Sequence, residues 1–142
     1  MGFLSYEYQG KSMLKVPFVD TRPLNFQRGD CGNFAVALGR VLGSNRYVAS
    51  DAQNFNFGDA SHVALLYRGH LIDSNGVITR KQLRDMALES EREDKKYFPN
   101  DPTHVVVREV SENNIAEILD DGRIDYIEKL LRSGKLHVKG II

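Results

Sequence analysis

Gly29-Asp30-Cys31-Gly32-Asn33-Phe34-Ala35-Val36-Ala37-Leu38 opens the most regular stretch of the chain and contains its one cysteine. Phe34, Ala37, Leu38, Val41 and Leu42 recur at three- and four-residue steps. With Asp30 as N-cap and Gly43 as terminator, that spacing predicts a helix over 30–43. A thiol at a helix start feels the positive end of the macrodipole and nearby unpaired N–H groups, which favour thiolate over thiol. Cys31 is therefore a candidate nucleophile.

Downstream of the helix, Arg46-Tyr47-Val48-Ala49-Ser50 has strand composition, and 51–59, rich in Asn, Gln and Phe, predicts a loop placed to cover a cleft. His62 to Tyr67 and His70 to Asp73 predict a hairpin around Arg68-Gly69. If those two residues form the loop, Tyr67 pairs with His70, Leu66 with Leu71, Ala64 with Asp73 and His62 with Asn75. His62, Ala64, Asp73 and Asn75 then share one face of the hairpin, and Val63, Leu65 and Ile72 share the other. Asp73 is diagonal to His62, at a Cβ separation of roughly 7–8 Å that an imidazole-carboxylate hydrogen bond can span. Asn75 lies directly opposite and is a second candidate to orient the ring. A three-residue loop would reverse the parity and separate His62 from Asp73.

Further along, Thr79-Arg80-Lys81-Gln82 matches a capping box, followed by a helix that fades near Ser90. Residues 90–102 combine the charged run from Glu91 to Lys96 with Pro99 and Pro102 and predict an exposed connection. His104 to Val110 predicts a strand. Helical spacing returns from Ser111 through Leu119 and, after Asp121-Gly122, from Ile124 to Leu131. Leu136-His137-Val138 could add an edge strand. Upstream, residues 1–29 show no sustained period and predict an irregular, partly extended arm. The order of elements implies an α+β fold: the helix carrying the cysteine packed on a small, mainly antiparallel sheet, with additional helices.

With 142 residues, 42% of them hydrophobic, the chain suits a single domain over 1–142, its α+β core spanning 30–142. Nineteen basic and nineteen acidic side chains cancel, so no net field draws it to nucleic acid or an anionic membrane. No apolar run approaches the roughly 20 residues of a membrane span. A lone cysteine forms no internal disulfide, and the first residues carry no signal-peptide pattern, which together imply a cytoplasmic protein.

The segment from Gly29 to Phe34, His62 to Leu66, and Leu71-Ile72-Asp73 resembles the papain-like superfamily in its broad sense, including the transglutaminase-like and NlpC-like branches. The Asp-Cys and His-Val pairs look like the NlpC-type pattern. The aspartate after a short hairpin is closer to transglutaminase-like proteins and arylamine acetyltransferases. The resemblance covers roughly a third of the chain. It implies a papain-like fold and a catalytic set of Cys31, His62 and Asp73, in which His62 deprotonates Cys31 and the thiolate forms a thioester with an amide or ester carbonyl. It also makes Gln27 similar to the glutamine that helps build a papain oxyanion hole. No cofactor is implied, and the substrate would be a peptide or protein.

Each residue also has a plainer reading. Cysteine is often a small buried hydrophobe, a lone histidine is often a hydrogen-bonded core residue, and Asp73-Ser74-Asn75-Gly76 alone reads as a turn. Gln27 reads as a loop side chain bonding backbone. Cys31, His62 and Asp73 would also suit an open three-ligand zinc site, but no Cys-x-x-Cys or close histidine pair accompanies them. The remaining alternative is a non-enzymatic interaction module, such as a phage-encoded accessory protein, that retains the fold.

Overall fold

In the computed structural model, residues 5–8, 11–16, 20–26, 29–52, 62–94 and 105–142 are described. Helix α1 (Cys31–Leu42) is buried at every position from Cys31 to Gly39. Its run Phe34-Ala35-Val36-Ala37-Leu38 is apolar on all sides, the composition of a helix enclosed within a core.

The elements around it form layers. Strands β4 (Arg46–Ala52), β5 (His62–Tyr67), β6 (His70–Asp73), β7 (Gly76–Ile78) and β8 (Val105–Val110) make a five-stranded sheet of order β7-β6-β5-β4-β8. All neighbours are antiparallel. Side chains alternate across the sheet. Tyr47, Ala49, Val63, Leu65 and Ile72 pack in one cluster with α1 and with Ile124, Ile127 and Leu130 of helix α3 (Asp121–Arg132). Val48, Ala64, Leu71 and Ile78 pack on the other face with Leu83 of helix α2 (Arg80–Asp94). The architecture is α+β.

The β5–β6 hairpin has the expected two-residue loop, with Tyr67 opposite His70, Leu66 opposite Leu71 and Leu65 opposite Ile72. Arg68 and Gly69 both take positive φ, 50° and 79°. That is the requirement of the primed turn whose twist suits a tight hairpin, and glycine meets it without steric cost.

Several boundaries differ from expectation. In place of an irregular arm over 1–29, strands β1 (Ser5–Tyr8), β2 (Lys11–Val16) and β3 (Asp20–Pro23) form a separate three-stranded sheet. Each strand is too short to display a period, and antiparallel pairing, such as Ser5 with Leu14, supplies the order. Helix α2 runs on to Asp94 instead of fading near Ser90. Its charged end contains good helix formers and neither Gly nor Pro. The stretch after Ser111 is a 3-10 helix, Asn113–Ile118, not an α-helix, and Leu119 turns extended before α3 begins.

Leu136 to Val138 adds no edge strand; the tail closes on itself, with Val138 N–H donating to Ile142 O at 2.8 Å. Asp51 and Ala52 extend β4, whereas 53–59 of the expected loop, 95–102 of the expected connection and His104 lie outside the described residues. Among the described residues no helix is long and apolar enough to cross a membrane.

Candidate functional site

His62 opens β5 and Asp73 closes β6, so the register that pairs Leu65 with Ile72 sets the two diagonally across the hairpin. Their side chains meet: His62 Nε2 lies 3.1 Å from Asp73 Oδ2, and both residues are buried. The second carboxylate oxygen, Oδ1, accepts the Asn75 backbone N–H at 2.8 Å. Asp73 is thus fixed from both ends before it orients the ring.

Asn75 serves Asp73 through its backbone and does not stand opposite His62. Asp73 pairs with Gly76, so the chain leaves the β5 ladder through a turn at Ser74-Asn75, and the Asn75 side chain is exposed. Gly76 closes that turn at φ 102°. A Cβ there would stand 2.8 Å from the Lys139 carbonyl oxygen, because the C-terminal tail passes over the turn.

Alternation assigns His62 to the sheet face of Ala64, while Cys31 belongs to the core cluster on the α1 face. Each is the first residue of its element, and hydrogen bonding and charge from Cys31 reach the His62 ring. Burial pushes the His62 imidazole towards neutrality. Hydrogen bonding to Asp73, then hydrogen bonding and charge from Cys31, then the charge of Asp73 outweigh it and raise the pKa to about 9. That direction favours the protonated ring at neutral pH. With Nε2 held by Asp73, Nδ1 is the nitrogen left for the sulfur. Cys31 is 6% exposed and His62 2%, so neither presents much surface.

The residue before the cysteine behaves unlike the expected N-cap. Asp30 has φ −109° and ψ 11°, and its side chain makes no capping hydrogen bond. Arg123, in the first turn of α3, takes both its oxygens: Nε donates to Oδ1 at 2.7 Å and Nη2 to Oδ2 at 2.5 Å. Asn33 Nδ2 also donates to Oδ1, and the Asn25 backbone N–H to Oδ2, each at 2.9 Å. Arg123 Nη2 reaches the Pro23 carbonyl at 3.2 Å, and Asn33 Oδ1 accepts the Asp120 N–H at 2.8 Å. The start of α1 is thereby tied to the start of α3, whose own N-cap, Asp120, accepts the Arg123 N–H.

Arg123 and Asn33 are absent from the sequence-based set. The sequence does carry a signal for Arg123: it sits four before Ile127, on the apolar stripe of α3, and an arginine facing a core requires a carboxylate there. Ser50 is a further polar neighbour. It lies directly opposite His62 on β4, fully buried, and its hydroxyl has no hydrogen-bond partner among the described residues.

Gln27 lies outside the described residues, and His70 and His137 are exposed. Among the described residues no group of three or more His, Cys, Asp or Glu side chains is arranged to hold a metal ion. Comparison of the chain with family models, with curated proteins and with solved structures gave no match.

Proposed function

We propose that the chain is a thiol-dependent hydrolase or acyltransferase of papain-like type, acting on an amide, peptide or ester carbonyl through a thioester on Cys31. The observation that carries this reading is the buried His62 imidazole held by Asp73 at 3.1 Å, with hydrogen bonding and charge from Cys31 also acting on the ring. A protonated ring gives a thiolate its counter-ion.

In this mechanism the Cys31 sulfur attacks the carbonyl carbon, forming a C–S bond and moving an electron pair onto oxygen. Backbone N–H at the start of α1 donates to that oxyanion. As the oxyanion collapses, the bond to the leaving group breaks, and His62 Nδ1 delivers its proton to the departing nitrogen or oxygen. Water or an amine then attacks the thioester while His62 takes a proton back, and the thiolate is regenerated. Asp73 holds Nε2–H throughout, which fixes the tautomer and leaves Nδ1 free for transfer. A peptide or protein is the substrate class, and the cytoplasm, where a lone thiol stays reduced, is the setting.

The near-complete burial of Cys31 and His62 favours a second reading, in which the fold serves as a binding module and the three residues are structural. One experiment separates the two. The protein is incubated with p-nitrophenyl acetate, quenched in acid and analysed by intact mass and peptide mapping. Acetylation of Cys31 that His62→Ala suppresses supports the enzyme. An unmodified Cys31, or equal labelling in the variant, supports the binding module.

A further inference from the structure

The four hydrogen bonds on the Asp30 carboxylate have a consequence for the residue that follows it. Aspartate at an N-cap position ordinarily turns its side chain onto the N–H groups of the first helical turn. Here those N–H groups belong to the turn that begins at Cys31, and a carboxylate seated on them would occupy the donors and place a negative charge where a second one must develop. Arg123, Asn33 and the Asn25 N–H take the oxygens instead. The Asp30 backbone also departs from the extended conformation of a capping residue.

We propose that Arg123 is a positioning residue for Cys31: by gripping both oxygens of Asp30 it keeps the N-cap carboxylate off the first turn of α1 and leaves that turn's N–H groups to the acyl oxyanion. The inference rests on the thioester chemistry proposed above and adds a residue from a different helix to it. Arg123 is suited to the task because its planar fork matches a carboxylate bidentately, which lysine cannot do. Both partners are almost wholly buried, with side-chain exposures of 2% and 5%, so the grip is little screened by solvent.

The test compares two reactions of the same sulfur. Acylation by p-nitrophenyl acetate passes through an oxyanion, whereas alkylation by iodoacetamide does not, so their ratio reports the donors separately from the thiol. In Arg123→Met, acylation is expected to fall by about tenfold or more relative to alkylation. Adding Asp30→Ala, which removes the capping oxygen, returns the ratio to within about threefold of the native value. Adding Asp30→Asn, which can still cap, leaves it low. A folded Arg123→Met with the native ratio would overturn the proposal. Should that variant not fold, the two double variants decide, and equal ratios in them would overturn it too. A native chain that is alkylated but never acylated would instead remove the enzyme reading, and this proposal with it.

Discussion

His62 and Asp73 are eleven positions apart in the chain, yet His62 Nε2 and Asp73 Oδ2 stand 3.1 Å apart inside the protein. The parity of the Arg68-Gly69 loop is what makes this possible, since a loop longer by one residue would send the two side chains to opposite faces. The pair is buried, so removing one member strands the other. Asp73→Ala is expected to cost about 3–5 kcal/mol in denaturant unfolding, and Asp73→Asn less because the amide oxygen still accepts from the ring. Equal stability of Asp73→Ala and the native chain would contradict this view of the pair.

The His62 pKa has a direct consequence for stability. It rises from 6.5 to about 9 on folding: burial lowers it, but the interactions with Asp73 and Cys31 prevail. A raised folded pKa means that the native state holds a proton the unfolded chain has released. This stabilisation is complete below about pH 6.5 and is lost as pH rises through about 9. Chemical denaturation across that range should show declining stability, absent in His62→Gln. Cys31→Ala removes two of the raising causes, so imidazole titration followed by NMR should move to lower pH. An unchanged titration would separate Cys31 from the ring.

Ser50 gives a prediction of opposite sign to most core substitutions. Its hydroxyl is buried opposite His62 with no partner among the described residues. Ser50→Ala deletes an unsatisfied polar group and little volume, so it should raise stability by roughly 1 kcal/mol. A loss of stability would show that the hydroxyl is bonded in solution.

The features legible in the sequence are those governed by short-range periodicity. Phe34, Ala37, Leu38, Val41 and Leu42 mark α1 because a helix repeats every few residues. The turn residues Arg68 and Gly69 fix the register that aligns His62 with Asp73. Where an element ends was harder to read. Glu91 to Asp94 look like a solvated linker and prolong α2, and Asn75 continues the strand pattern although Asp73 already pairs with Gly76.

Least legible was the coupling between distant segments. Asp30 reads locally as a helix cap, and only the packing of α3 on α1 delivers Arg123, 93 residues later, to claim its carboxylate. Cys31 likewise sits in the core cluster on the α1 face while His62 alternates onto the other face of the sheet, yet the thiol acts on the ring. No local pattern encodes such a meeting, because it depends on how the helix lies against the sheet.

The central claim is that Cys31 and His62 act as one chemical unit. The most direct measurement is the rate of Cys31 alkylation by iodoacetamide as a function of pH, in the native protein and in His62→Ala, with folding verified for both. The account predicts that the native protein labels at neutral pH about tenfold or more faster than the variant. Superimposable profiles for the two proteins would contradict it.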